Sequence, residues 1–179
     1  MLVAGLGVPA GPEVYADAGP VPQTQPALAF AALAYFNTSC ATCHGDYGSF
    51  YGPTFGQGLS DVQLHDVVEE MADGPAAAPL APAELAAVIA YHRSLIAGTP
   101  YLAVTERDGT RVAGEVTPGA SVSVRTTAGE LAAEVQGHAW SVTLAEEAKV
   151  EGVQAVRQGQ RTTLSAGAGW SHAEPLEAK

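Results

Sequence analysis

The chain has 179 residues, of which 47% are hydrophobic and 15% are charged, a composition typical of a folded globular protein rather than a disordered one. Its formal net charge of −11 at pH 7 argues against nucleic acid and anionic lipid as partners, because both would repel it. The same charge favours a protein partner with a basic docking surface, or an acidic or saline setting, and a surface tuned only for solubility is an equal alternative.

The negative charge is concentrated in the first half of the chain. All eight Lys and Arg residues lie at or after Arg93, whereas residues 1–92 hold nine acidic residues. No stretch reaches the about 18 consecutive apolar residues that a membrane-spanning helix needs, so we expect no transmembrane segment.

The first predicted elements lead up to the two cysteines. Residues 1–24 are rich in Gly and Pro and predict an irregular N-terminal arm, or a signal-peptide remnant with small residues at Ala16-Asp17-Ala18. Apolar residues predict a helix over about 26–38, which runs into the cysteines. A loop rich in Gly and aromatic residues follows over 45–58.

Two further helices are predicted, over about 61–72 and 82–96. Ser60 is a favourable N-cap for the first of them. On that helix one apolar stripe at positions i, i+3, i+4 and i+7 is formed by Leu64, Val67, Val68 and Met71. The stripe predicts the buried face of the helix.

The pattern changes near Pro100, where short alternating segments predict strands. Turn residues recur at a spacing typical of a small antiparallel sandwich, at Asp108-Gly109, Pro118-Gly119 and Gly137. The predicted organisation is a helical domain over 25–98, a β-sandwich domain over 99–168 and a tail over 169–179.

The chain has only two cysteines, which lie in the sequence Cys40-Ala41-Thr42-Cys43-His44. C-x-x-C-H is the attachment signature of haem c, in which each thiol forms a thioether with the haem and the histidine binds the iron. A structural zinc site needs more ligands than these, and a thioredoxin-like pair would follow a strand in a βαβ unit. A disulfide across this short loop would leave His44 unexplained.

At these residues the chain resembles the class I monohaem cytochrome c domain. The resemblance rests on four pieces, "FNTSCATCHG", the loop with Gly52-Pro53, "LSDVQLHDVV" and "LAPAELAAVIAYHRSL". It implies an all-α cytochrome c domain followed by an all-β sandwich domain, with one haem c and its iron as cofactor. It further implies that the Pro53 carbonyl orients His44, that Leu64 and Val68 pack on the haem, and that Tyr91 packs on the first helix.

The second iron ligand departs from the family pattern. The family usually places a methionine before a proline in the loop between the last two helices, where this chain has Ala78-Pro79. Met71 is the first candidate, because Met1 is terminal and no other methionine exists. The alternatives are His92, His65, an open or water-bound iron, and a ligand from another protein. His138 and His172 would need the second domain to cover the haem.

The second domain resembles the transthyretin-like, carboxypeptidase-regulatory type of β-sandwich. This resemblance rests on the spacing of Val, Gly and Ala in "RVAGEVTPGASVSVRTTAGELAAEV" and "AWSVTL". No spacing of Ser, His and acidic residues singles out a catalytic constellation. The resemblance implies a role in stability or docking.

The sequence thus predicts an electron-transfer protein and not an enzyme, acting as a subunit or partner of a larger redox complex. Covalent haem attachment generally takes place outside the cytoplasm, so a periplasmic or other extracytoplasmic location is expected. Two alternatives stay open. One is a five-coordinate haem enzyme or sensor that reduces peroxide or binds a small ligand, and the other is a structural docking subunit.

Overall fold

The computed structural model describes residues 28–166 of the chain. Within this range a helical part precedes a part made of strands. The helices are α1 (Ala32–Ser39), α2 (Ala41–His44), α3 (Asp61–Asp73) and α4 (Pro82–Ala97), and a 3₁₀ turn spans Asp46–Gly48. The predicted N-terminal arm (1–24) and C-terminal tail (169–179) lie outside the described residues.

The predictions for α3 and α4 are confirmed to within one residue at each end. Ser60 caps α3 as predicted, because its Oγ accepts a hydrogen bond from the Gln63 N–H at 3.2 Å while Gln63 Oε1 accepts from the Ser60 N–H at 2.9 Å. The start of α1 was predicted wrongly. The Ala29 N–H donates to the Val104 carbonyl at 2.9 Å, which ties the chain before Ala32 to a strand.

The strands form two antiparallel sheets with the orders β1-β2-β6-β5 and β4-β3-β7-β8. Both sheets contribute to one core, in which Val112 and Trp140 from the first sheet meet Val124 and Leu164 from the second. The strands are β1 (Leu102–Asp108), β2 (Arg111–Val116), β3 (Ser121–Thr126), β4 (Gly129–Ala132), β5 (Glu134–Gln136), β6 (Ala139–Thr143), β7 (Val150–Arg157) and β8 (Gln160–Ser165).

The first sheet is closely packed where β2 passes β1 and β6. A Cβ atom at Gly114 would collide with the Ala103 carbonyl and lie 2.9 Å from the Trp140 indole nitrogen. The indole N–H donates to that same carbonyl at 3.2 Å. Glycine is therefore required at this position by the approach of its neighbours.

The helices do not form a separate all-α domain, so the predicted fold class is wrong. Their core, which contains Leu33, Phe36 and Tyr91, also includes Tyr101 and Ala103 at the start of the strand part. The prediction failed because helical periodicity identifies the buried face of a helix but not the element that covers it. The observed fold is mixed, with short helices over 32–97 followed by two four-stranded antiparallel sheets.

Candidate functional site

The cysteine motif lies at the junction of α1 and α2. The Cys40 carbonyl accepts hydrogen bonds from the N–H groups of Cys43 at 3.1 Å and His44 at 3.0 Å, so the motif forms one helical turn. Gly45 ends this turn with a φ of 73°, a conformation that favours glycine. Both thiols are free, and Cys43 is exposed whereas Cys40 is half-buried. Burial, reinforced by the neighbouring Cys43, raises the pKa of the Cys40 thiol.

Cys40 and His44 line an apolar cavity of about 230 Å³. The whole predicted stripe of α3 forms one wall, with Leu64, Val67, Val68 and Met71. Most of the remaining wall is aromatic and comes from α1, α4 and the loop after α2, through Tyr35, Phe36, Tyr51, Phe55 and His92. A concave apolar site with a few polar groups is the usual form of a cofactor site.

Only two of the four stripe residues in the α3 wall are buried. Leu64 and Val68 are buried, whereas Val67 is 44% exposed and Met71 is 39% exposed. These two side chains therefore place apolar surface at the mouth of the cavity. Exposed apolar surface beside a cavity indicates a place for a ligand or a partner.

His44 packs against aromatic rings inside the cavity. Its ring centroid lies 4.9 Å from that of Tyr51 and 6.4 Å from that of Phe36. Tyr51 in turn stacks on Phe55 at 3.7 Å, with the two rings almost parallel. Pro53 is not among the residues that line the cavity, and its carbonyl accepts a hydrogen bond from Gln57 Nε2 at 3.0 Å. The predicted role of that carbonyl in orienting His44 stays a prediction.

The three candidates for a second iron ligand occupy different environments. Met71 and His92 both line the cavity with His44. His65 does not line it and lies on the exposed side of α3, with its Nδ1 3.5 Å from Asp66 Oδ1 and 4.0 Å from Glu69 Oε2. The structure thus brings together two of the three candidates.

His92 is held by hydrogen bonds at both ring nitrogens. Its Nδ1 lies 2.8 Å from the Val88 carbonyl and its Nε2 lies 3.2 Å from Tyr51 Oη. Because a carbonyl only accepts, this network assigns the proton to Nδ1 and makes Nε2 the acceptor of the tyrosine hydroxyl. Burial lowers the pKa of His92 and the nearby His44 lowers it further, although the Val88 carbonyl opposes them. These causes favour the neutral ring.

Sequence reasoning did not identify Tyr51, Phe55 and Tyr35 as site residues. Tyr51 and Phe55 come from the loop over 45–58, where the density of aromatic residues directly after His44 was the available signal. Tyr35 Oη donates to the Ala78 carbonyl at 2.6 Å, which joins α1 to the segment before α4. Burial raises the pKa of Tyr51 to about 12, and the nearby Cys40 contributes to this rise.

The resemblance to class I cytochromes c is not supported as a family assignment. Among residues 28–166 no group of three or more His, Cys, Asp and Glu side chains is arranged to hold a metal ion. Comparison with protein-family models, curated proteins and solved structures finds no match to this chain. The assignments of 25–98 to that family and of the strand part to transthyretin-like modules are therefore corrected. What is observed is a mixed fold with an apolar cavity beside the cysteine motif.

Within the part of the chain that the structure describes, no helix has the length and hydropathy to cross a bilayer.

Proposed function

We propose that this protein holds one haem c through Cys40, Cys43 and His44 and transfers single electrons. The observation that carries the proposal is that the C-x-x-C-H turn opens onto an apolar cavity, with Cys40 and His44 in its wall. A haem would bring its own porphyrin nitrogens as iron ligands, so the protein would need to supply only one or two further ligands. An extracytoplasmic location is part of the proposal, because covalent haem attachment generally takes place there.

The cavity and the turn beside it fit a haem in three respects. Cys40 and Cys43 are free thiols on one helical turn, of which Cys40 lines the cavity and Cys43 is exposed outside its lining, and both are available for thioether bonds. His44 supplies an imidazole in the same wall. Leu64, Val68 and the aromatic residues supply apolar surface, which excludes water and so favours burial of a macrocycle.

The bound group would supply a one-electron couple, and the residues of the chain would set its environment. His44 would bind the iron, while Tyr51 and Phe36 restrict the orientation of its ring by packing against it. The low polarity of the walls tunes the potential by limiting solvent access. Hydrogen bonds within the wall, such as that from Tyr51 to His92, keep the side chains in fixed positions.

Covalent attachment is tested by expression in a host that matures haem c. We expect one haem per chain that stays with the polypeptide during denaturing electrophoresis and acidic extraction. Cys40→Ser and Cys43→Ser each remove one thioether, and the double variant is expected to release the haem. His65→Gln is the matched control, because His65 lies outside the cavity. A parent protein that leaves the host without covalent haem would refute the proposal.

Met71 is the proposed second ligand. It lies in the cavity wall, whereas both nitrogens of His92 already have partners and His65 lies outside. We expect Met71→Leu to abolish the long-wavelength charge-transfer band of the oxidised protein and to lower the reduction potential, because a thioether favours ferrous iron. Val67→Leu alters the same wall without removing a sulfur and is expected to keep both properties. A spectrum that changes in His92→Gln but not in Met71→Leu would identify His92 as the second ligand instead.

The proposed partner is a redox protein with a basic docking surface. On α3 the acidic side chains Asp66, Glu69, Glu70 and Asp73 are all exposed, and no Lys or Arg occurs on this helix. Glu70 lies one helical turn after Val67, so a basic surface attracted to this residue would lie beside the mouth of the cavity. Such complementarity mainly raises the rate of association and weakens with added salt.

Docking on α3 is tested with small redox probes of opposite charge. Electron exchange with hexaammineruthenium is expected to slow with rising ionic strength, whereas exchange with ferricyanide is expected to accelerate. The double variant Glu69→Gln/Glu70→Gln should lower the rate of electron exchange with hexaammineruthenium. The control is the double variant Glu146→Gln/Glu147→Gln, which has the same charge change at exposed residues of the strand part and should lower this rate by less. Equal effects of the two pairs would contradict docking at α3.

A second candidate function is a haem that binds a small ligand at an open iron. The observation in its favour is the exposure of Met71, which leaves 39% of this residue in contact with solvent. Carbon monoxide added to the reduced protein separates the two functions. Rapid, complete binding that is unchanged in Met71→Leu would favour the open site, and absence of binding would favour electron transfer.

A further inference from the structure

Helix α1, which carries the chain into Cys40, has no cap of its own. Its N-cap position is Ala31, which makes no side-chain hydrogen bond. The first N–H groups of a helix lack partners within the helix and need acceptors from elsewhere. In α1 these acceptors come from strand β2, because Glu115 Oε2 accepts from the Leu33 N–H at 2.8 Å and Glu115 Oε1 accepts from the Ala34 N–H at 2.9 Å.

The environment of Glu115 is unusual for a carboxylate. Only 5% of this residue is exposed. Burial raises the pKa of Glu115, while the N–H groups of Leu33 and Ala34 and the nearby His138 lower it. A buried carboxylate is tolerated when hydrogen bonds satisfy it, and the N-terminus of a helix also favours negative charge. The N-terminus of α1 therefore stabilises the buried carboxylate of Glu115, and the carboxylate supplies acceptors for the first N–H groups of α1.

A second connection ties the strand part to the turn after the cysteine motif. His138, in the hairpin between β5 and β6, places its Nε2 3.9 Å from Glu115 Oε1. Its Nδ1 lies 2.9 Å from Tyr47 Oη, and the Tyr47 N–H donates to Asn37 Oδ1 of α1 at 3.0 Å. Tyr47 follows His44 by three residues. The segment that holds the motif is thus attached to the strand part at both of its ends.

We propose that Glu115 is a positioning residue for the haem-attachment segment, acting as the missing N-cap of α1 from strand β2. Since α1 ends at Ser39 with Cys40 as its C-cap, the carboxylate fixes the helix whose C-terminal end presents the first thiol to the cavity. The capping role stands without a cofactor, and only its effect on haem rests on the proposed function. The strand part is then a component of the site and not a separate docking module.

Amide hydrogen exchange of the full chain tests the cap directly. Glu115→Met keeps the length of the side chain but removes both carboxylate acceptors, and is expected to accelerate exchange at Leu33 and Ala34 roughly tenfold or more. Glu115→Gln keeps one carbonyl oxygen and is expected to give intermediate rates. The control is Glu106→Met on β1, an exposed residue that pairs with Arg111 at 2.6 Å. Unchanged exchange in Glu115→Met, or an equal change in Glu106→Met, would overturn the proposal.

A second-site change separates capping from general loss of structure. Ala31 lies at the N-cap and borders the same surface cavity as Glu115, so Ala31→Asp introduces an acceptor for the amides that Glu115 serves. On the Glu115→Met background it is expected to restore slow exchange, and to restore folding if Glu115→Met alone does not fold. Failure of both restorations would refute capping.

The haem readout is measured on the same variants. Glu115→Met is expected to shift the reduction potential or reduce the fraction of chains with covalent haem relative to Glu106→Met, and Ala31→Asp is expected to reverse the change. Faster exchange with unchanged haem content and potential would overturn the positioning role. If the parent protein holds no haem, the proposed function fails while the exchange experiment still decides whether Glu115 caps α1.

Discussion

At the scale of single residues, His92 is the most constrained polar group of the cavity. Its exposure is 7%, and hydrogen bonds to the Val88 carbonyl and Tyr51 Oη engage both ring nitrogens. Protonation of Nε2 would replace an acceptor by a donor facing the tyrosine oxygen and would place a charge in an apolar wall. The neutral ring is therefore part of the folded structure.

The neutral, buried state of His92 predicts that the folded protein loses stability in acid. Because burial lowers the pKa of His92 in the folded chain, the unfolded chain binds the proton more readily, and stability falls as the pH decreases from about 6.5, the ordinary histidine value. Above that value the stability that depends on His92 is fully present. Denaturant titrations across this range should show a weaker pH dependence in His92→Gln than in the parent protein.

His65→Gln is the control for this experiment. His65 is exposed on α3 and lies outside the cavity, so His65→Gln removes a histidine without changing the cavity wall. If both variants change the slope equally, the buried His92 is not the titrating group.

Residue-level reasoning predicted the parts of the site that depend on local chemistry. The motif of Cys40, Cys43 and His44 and the stripe of α3 are readable because spacing alone brings their residues together. Glu115 was not predictable, because it is one of many acidic residues in the sequence and becomes a cap only through a contact across 82 positions with Leu33. Tyr51 and Phe55 were missed because a loop has no periodicity that assigns their side chains to a face.

At the scale of elements, the start of α3 determines which residues face the cavity. The reciprocal hydrogen bonds between Ser60 and Gln63 fix the first turn, and Leu64 and Val68 follow on the buried face. Helix boundaries marked by such local signals were predicted correctly. The start of α1 was not, since its acceptors lie in a distant strand.

We predict that Ser60→Ala lowers the free energy of unfolding by about 1 kcal/mol, the usual cost of losing a serine N-cap. Ser60→Asp keeps a side-chain acceptor at the N-cap and adds negative charge at the helix N-terminus, so it should stay close to the parent protein. Equilibrium unfolding in urea, followed by far-UV circular dichroism, measures both. Equal losses in the two variants would show that the Gln63 N–H does not depend on this cap.

At the scale of the whole molecule, the two halves depend on each other unequally. The core between the sheets consists of residues from 102 onward, with Leu102 and Leu164 at its limits. The core of the helical part, in contrast, includes Tyr101 and Ala103, and α1 takes its cap from Glu115. The strand part therefore supplies all the buried residues of its own core, whereas the core of the helical part includes residues from the strand part.

This asymmetry predicts different behaviour of the two halves after separation. A fragment of residues 99–179 is expected to unfold cooperatively in urea, because it keeps the entire core between the sheets and the hydrogen bond from Thr162 Oγ1 to the Pro100 carbonyl at 2.6 Å. A fragment of residues 1–98 is expected to lose its cooperative transition, since it lacks two core residues and the cap of α1. Mixing the fragments should restore helical signal, and Glu115→Met in the strand fragment should weaken that recovery. A helical fragment that unfolds alone with the midpoint of the full chain would contradict the dependence, because its core would then be complete without Tyr101, Ala103 and Glu115.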